Sequence, residues 1–301
     1  MWCDQPVSEW GQYKPEELDS VCAADHVRFD ERLWGEISAK MKDEGLDLLV
    51  LDLGEAVQYP SHLELAVNGS WSPERLRNEI RRLNSMGIEV IPKLNFSTGH
   101  DVWLGEYQRM VSTPEYYRVC AEIMRDVVEI FGGPRLFHIG YDEETFEQQR
   151  RYRYCAVRQG ELWWHDLLFF VGEVEKLGAR AWMWSDYGWA HEAEFVRRMP
   201  RSVLQSNWDY EASFDRDRKE HPERLRFFDV LERNGFDQIP TGSNWRHDGN
   251  FGALVAHCRT CMSPQHLKGF LMAPWKRMLP MFAGYYRRAV EIAGAARHNG
   301  G

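Results

Sequence analysis

The sequence has no apolar stretch near the roughly 18 uncharged residues that a membrane-spanning helix needs. Its N-terminus, Met1-Trp2-Cys3-Asp4-Gln5-Pro6, lacks the basic stretch and apolar core of a signal peptide. A membrane span is therefore not expected, and a cytoplasmic location is. Positive charge is in deficit: 37 Lys and Arg against 46 Asp and Glu leave a net charge of −9. That is the wrong sign for holding nucleic acid or an anionic membrane by bulk electrostatics. Cysteine is sparse and scattered, with six residues (Cys3, Cys22, Cys120, Cys155, Cys258 and Cys261). A chain this long builds its own core without a disulfide framework, and the six read as free thiols. Also missing are a GxGxxG or GxxxxGK[ST] turn after the first strand and the second histidine that would make His191-Glu192 a zinc motif. No Pro-, Gly- or Ser-rich linker and no low-complexity segment divides the chain, so one domain over residues 1–301 is expected.

What is abundant is aromatic. There are 13 Trp, 12 Tyr and 15 Phe in a chain of mean hydropathy −0.55. The tryptophans crowd at the ends of predicted strands: Trp182, Trp184 and Trp189, then Trp208, Trp245 and Trp275. Flat aromatic faces at a pocket mouth suit the apolar faces of sugar rings, and large aromatics also fill the upper layer of a barrel.

Apolar periodicity and capping signals alternate strand with helix along the chain. A first helix is expected over Phe29 to Glu44. Strands are expected at Leu46 to Gly54, Ile88 to Phe96, from Leu136, and at Ala181 to Asp186, Val203 to Trp208, Gln238 to Gly242 and Lys268 to Ala273. The helices between and after them run from the start at Ser72-Pro73-Glu74 through Arg75 to Met86, from Thr113-Pro114-Glu115 to Phe131 with Gly132-Gly133 as the stop, and over Glu161 to Leu177, His191 to Met199, Pro222 to Asn234, Asn250 to Cys261 and Pro280 to Ala296. Met1 to Asp4 is expected to bring the count to eight as a very short first strand. The expected fold is therefore α/β, a single-domain (β/α)8 TIM barrel.

In such barrels the working residues sit at the C-terminal ends of the strands. The strand list then yields Asp4, Glu55, Asn95, His100, Asp142, Glu143, Trp184, Asp186, Asn207 to Tyr210, Asn244, Trp245 and Trp275. The densest of these ends is Leu136-Phe137-His138-Ile139-Gly140-Tyr141-Asp142-Glu143-Glu144, an apolar run that stops on three carboxylates. If the run stays extended, Phe137, Ile139 and Tyr141 share one face and His138, Gly140 and Asp142 the other. Two adjacent carboxyl groups near one ligand do not both ionise cheaply, so one keeps a proton and can act as an acid. That division of labour suits cleavage of a glycosidic bond.

His138-x-Gly140-x-Asp142-Glu143 resembles the HxGGDE signature of glycoside hydrolase family 20, the β-N-acetylhexosaminidases. Gly87-Ile88-Glu89-Val90-Ile91-Pro92 followed by Gly99-His100 is similar to that family's GIEVIPE(I/F)DxPGH segment. Trp184-Ser185-Asp186, Gln205 to Trp208 and Ala273-Pro274-Trp275 stand where the family places pocket tryptophans. The resemblance implies a retaining mechanism in which the sugar's own 2-acetamido oxygen attacks the anomeric carbon, an exception to the protein-nucleophile scheme. It makes Glu143 the general acid and base and Asp142 the group that holds the acetamido N–H. Binding roles fall to His100, Asn95, Trp184, Asp186, Asn207, Trp208, Trp245 and Trp275. A carbohydrate is the expected partner, and neither a metal nor an organic cofactor is called for.

The sequence departs from the family at named positions. Tyr141 replaces the second glycine of HxGGDE. Pro92-Lys93-Leu94-Asn95 stands where the family has Pro-Glu-(Ile/Phe)-Asp, and the gap from Pro92 to His100 is one residue longer. The family's first-strand arginine has no counterpart in Met1 to Asp4, and no counterpart of the small α/β domain that precedes the family's barrel is expected within residues 1–301. These departures keep two other readings open: a sugar-binding protein without turnover, and metal-dependent hydrolysis by the His and Asp residues at strand ends. Cys258-x-x-Cys261 falls in a predicted helix with no second pair and reads as incidental. Arg150 to Arg153, with Tyr152 and Tyr154, reads as a solvated face, a lid or a contact to an anionic sugar substituent. His247-Asp248 reads as catalytic or as a polar loop.

Overall fold

A computed structural model of the chain describes residues 24–149 and 154–298. The described residues divide into two compact units, 24–28 with 48–181 and Phe29–Asp47 with 182–298. In the first unit, β1 (Leu48–Asp52), β2 (Glu89–Lys93) and β3 (Leu136–His138) run parallel in that order. The helices α2 (Pro73–Ser85), α3 (Pro114–Phe131) and α5 (Gly160–Lys176) alternate with them, and a short α4 (Phe146–Gln149) follows β3. β4 (Arg180–Trp184) carries the chain from the first unit into the second.

The second unit adds α1 (Glu31–Asp43), α6 (Tyr187–Ala190), α7 (Glu192–Arg198), β5 (Leu204–Ser206), α8 (Pro222–Arg233), β6 (Thr241–Gly242), α9 (Asn250–Cys261), β7 (Leu271–Met272) and α10 (Ala283–His298). β4 and β5 pair in parallel, as do β6 and β7. Single bridges, Gln205 to Gln238 and Trp208 to Thr241, continue the ladder between β5 and β6.

Helix boundaries follow local chemistry. Thr113 accepts a hydrogen bond from the Tyr116 N–H, Pro114 occupies the first turn, and Gly132 ends α3 in the left-handed conformation at φ 73°. Tyr116, Val119, Cys120, Ile123, Met124, Val127 and Ile130 make one buried stripe along that helix. The stripe leads into an aromatic core of the first unit, where Phe96 stacks on Phe170 at 4.4 Å. In the second unit, Leu225, Phe228, Phe251, Leu254 and Ile292 form the corresponding core between α8, α9 and α10.

The expected order of alternating strands and helices holds, but an eight-stranded closed barrel does not appear among the described residues. Seven strands are present there, and β6 and β7 have two residues each. Pro240 and Pro274 bring no N–H to the ladder, and Gly269 leaves the extended region at φ 149°. The expected first strand, Met1 to Asp4, lies outside the described residues, as does the basic cluster Arg150 to Arg153. No described helix is long and apolar enough to cross a membrane.

Removing the α3 cap with Thr113→Ala leaves the Tyr116 N–H without its partner. It is expected to cost about 1 kcal/mol of stability, read as a lowered urea midpoint with an unchanged slope.

Candidate active site

The predicted alternation past His138 fails for a backbone reason. β3 ends at His138, and the next residues turn through the left-handed region: Gly140 at φ 70°, Tyr141 at 76° and Glu143 at 53°. Tyr141 therefore does not sit on a strand face with Phe137 and Ile139. It turns into the core, 1% exposed, edge-on to Trp163 at 5.2 Å, and its hydroxyl donates to the Trp163 carbonyl at 3.3 Å. Gly140 is required where it stands, because a Cβ there would lie 2.1 Å from Asn95 Oδ1.

The loop after β2 runs beside this turn. The Phe96 N–H donates to the Ile139 carbonyl at 3.0 Å. Asn95 then works at both ends of its amide. Its Nδ2 donates to Asp142 Oδ1 at 2.8 Å, and its Oδ1 accepts from the backbone N–H groups of Ser97 at 3.0 Å and Tyr141 at 3.1 Å. Ser97 Oγ donates to the Asp142 carbonyl at 2.5 Å. His100 Nε2 lies 3.4 Å from Asp142 Oδ2 and 3.4 Å from Glu143 Oε2. The ring is buried while the Glu143 side chain is 36% exposed, so of this group Glu143 is the carboxylate with most access to solvent. Gly99 permits the approach, since a Cβ there would meet the Glu143 carbonyl at 3.2 Å.

Buried charges surround the cluster. Lys93 Nζ donates to Asp52 Oδ2 at 2.5 Å. Burial works against the Asp52 charge, but the Lys93 ammonium outweighs it and holds that carboxyl below its ordinary range. Burial, aided by the Lys93 charge, pushes His138 well below its usual value, so its ring is neutral and Nδ1 accepts from the Gly140 N–H at 3.0 Å. Asp101, buried beside His100, is pushed up to about 8 by desolvation against the pull of Arg158. Glu55, at the end of β1, is buried too.

The remaining sequence candidates lie in the second unit and are described there by themselves. Trp184, Trp208 and Tyr210 form a buried cluster on which Trp189 and Trp275 pack. Trp208 stacks on Tyr210 at 5.0 Å, with the Arg224 guanidinium 4.4 Å over its ring. Asn207 is committed to the fold, accepting from Trp189 Nε1 and donating to the Arg224 carbonyl, each at 2.8 Å. Asp209 pairs with Arg218, and Asn244 donates to the Tyr285 carbonyl at 3.2 Å. Asp186 precedes α6 without capping it. Trp245 is 49% exposed, and Trp275 is half-buried at φ 29°. Asp248 is ion-paired with Arg288 at 2.7 Å.

Sequence reasoning missed Ser97, Glu144 and Arg158. The extra residue between Pro92 and His100 was a signal for the first. Nothing in the sequence linked Glu144 to Arg158.

His100, Asp142 and Glu143 are the described trio whose ligand atoms, all within 4.8 Å of one another, could hold a metal ion. One imidazole and two carboxylates suit a divalent transition metal or zinc.

No family model and no curated protein matches the chain. Solved structures do. The chitobiase of Flavobacterium johnsoniae superposes with a TM-score of 0.62 at 14% identity, over 88% of this chain and 46% of that one. The likeness to this GH20 enzyme is one of fold. The exo β-N-acetylglucosaminidase of Vibrio harveyi, solved with N-acetylglucosamine, gives 0.60 at 13% identity over 90% and 52%, and Dispersin B gives 0.57 at 13% over 89% and 95%. The chain thus spans about half the length of the Flavobacterium and Vibrio enzymes.

Gly140→Ala is expected to displace Asn95 and to cost about 1–3 kcal/mol through the strained backbone alone, measured as a fall in urea midpoint. Asp101 gives a pH signature. An unfolded Asp ionises near 3.9 while the folded one keeps its proton to about 8, so stability falls as pH rises across that window. The urea midpoint of the wild type should therefore drop relative to Asp101→Asn between pH 5 and pH 8, and a pH-independent difference would refute the assignment.

Proposed function

We propose that the protein is an exo-acting glycosidase of the β-N-acetylhexosaminidase type. The observation that carries the reading is the pair Asp142 and Glu143 on one left-handed turn, both 3.4 Å from a buried His100, in a chain with the GH20 fold. The two carboxylates differ in what they touch. Asp142 is fixed by Asn95 through one oxygen and by Ser97 through its carbonyl, which suits a group that must orient a substrate. Glu143 is the more exposed and suits proton exchange with a leaving group.

In this reading Glu143 donates its proton to the glycosidic oxygen as the bond to the anomeric carbon breaks. The substrate's 2-acetamido oxygen attacks that carbon and forms a cyclic oxazolinium ion. Asp142 accepts the acetamido N–H and offsets the positive charge that develops there. Glu143, now a carboxylate, takes a proton from water, whose oxygen attacks the anomeric carbon, opens the ring and restores the 2-acetamido sugar.

One observation favours a second reading, a sugar-binding protein without turnover. Lys93 stands at the end of β2 where the resembling family has glutamate, and its charge is committed to Asp52.

A panel of aryl glycosides with and without the 2-acetamido group separates the readings. Hydrolysis is expected only with the acetamido group. Glu143→Gln should lower kcat by about 10²–10⁴-fold, with the fold intact by circular dichroism. Asp142→Asn should do the same selectively for acetamido substrates. Undiminished turnover in Glu143→Gln would sink the glycosidase assignment. Sugar binding by calorimetry with no turnover anywhere in the panel would establish the second reading.

A further inference from the structure

We propose that Arg158 is a positioning residue for Glu143, acting through Glu144, and that the same guanidinium is what allows Tyr141 to occupy a glycine's backbone conformation. The inference rests on the glycosidase reading for what Glu143 does, but not for the geometry.

Arg158 and Glu144 have side chains 1% and 2% exposed. The guanidinium grips Glu144 with two parallel bonds, Nε to Oε1 at 2.7 Å and Nη2 to Oε2 at 2.6 Å. The Arg158 backbone N–H adds a third to Oε1 at 2.9 Å, and the Thr98 N–H a fourth to Oε2 at 3.3 Å. Nη2 also donates to the Phe96 carbonyl at 2.7 Å, and Nη1 to Asp166 Oδ2 at 3.1 Å. Asp166, on α5, is itself held by Tyr117 and Ser112 hydroxyls. The face of the guanidinium lies 4.6 Å from the Tyr141 ring centre. One cation thus ties together the loop after β2, the turn after β3 and α5.

Charged groups this deep are costly to desolvate, and well-packed apolar residues would often serve stability as well. What an apolar replacement would not do is fix direction. Tyr141 and Glu143 are non-glycine residues at φ 76° and 53°, a region in which a Cβ crowds the following carbonyl oxygen. Such a backbone relaxes unless both flanks are held. Ser97 holds the Asp142 carbonyl on one side of Glu143. Arg158 holds Glu144 on the other. Neither Arg158 nor Glu144 is among the groups assigned to touch substrate, so their effect is on where the Glu143 carboxyl points, whereas Tyr141 contributes the strain that they hold.

The test uses the full chain with an aryl 2-acetamido glycoside and four variants: Arg158→Lys, Arg158→Met, Glu144→Gln and Tyr141→Gly. Arg158→Met should lower kcat by about 10²-fold while KM stays within about threefold, because misplacing a catalytic group by about 1 Å costs on that order. Arg158→Lys, which keeps the charge but not the fork, should fall between. Tyr141→Gly removes the strained side chain and should keep kcat within about threefold, and the double variant Tyr141→Gly with Arg158→Met should recover about tenfold of what Arg158→Met loses. A parallel fall in kcat and rise in KM, or additive effects in that pair, would reduce Arg158 to a structural ion pair.

Crystal structures of Arg158→Lys and Glu144→Gln, the variants least disruptive to folding, give a readout that needs no turnover. Tyr141 or Glu143 is expected to leave the left-handed region, with Glu143 moving away from His100. An unchanged turn would overturn the inference whether or not the wild type cleaves any glycoside. Absence of turnover in the wild type with the expected shift in the turn would instead overturn the glycosidase reading alone.

Discussion

The turn that carries Asp142 and Glu143 depends on one buried cation, Arg158, shared between Glu144 and Asp166. Without Arg158 the Glu144 carboxylate would sit uncompensated in the core, and the turn that carries Asp142 and Glu143 would lose a charged anchor. Burial works against the guanidinium charge, yet Glu144 and its other partners outweigh burial and hold it above its ordinary value. The cation is therefore permanent across the pH range in which the site would operate. Strain in the turn and charge in the core are two sides of one arrangement: the second makes the first tolerable.

Asn95 does for the neutral side of the site what Arg158 does for the charged side. The resembling family carries aspartate in the corresponding segment. Here the amide spans two jobs that a carboxylate would not do together, donating to Asp142 while accepting two backbone N–H groups. Lys93 follows the same logic at the end of β2, where an ammonium balanced by Asp52 replaces a negative group. These two replacements change the sign or number of charges around Asp142 and Glu143 and leave the turn itself in place.

Much of the architecture was legible from the sequence because helices announce their ends. Pro73, Pro114 and Pro222 in first turns and Gly132 at a left-handed stop set boundaries that the structure keeps, and Asn250 to Cys261 is helical over the expected span. Strand lengths were less legible, since apolar runs such as Lys268 to Ala273 continue past the two residues that pair. The grouping of Asn95 and His100 with Asp142 and Glu143 followed from motif order. The conformation of Tyr141 did not, because period-two alternation presumes an extended backbone and a tyrosine gives no sign of positive φ. Arg158 escaped notice because its partners, Phe96, Glu144 and Asp166, are far apart in sequence and belong to no motif. Asn207, by contrast, read as a ligand group and is spent on the Trp189 indole and the Arg224 carbonyl.

Gly99 faces the Glu143 carbonyl so closely that a methyl group would already crowd it. The two loops of the site are therefore a single inheritable part: residues 94–101, residues 139–145 and Arg158 have to be transplanted together or not at all. Grafting either loop alone from a GH20 enzyme would bring a backbone shaped for a different neighbour, so for an engineer the smallest exchangeable cassette is larger than the motif that first drew attention to it.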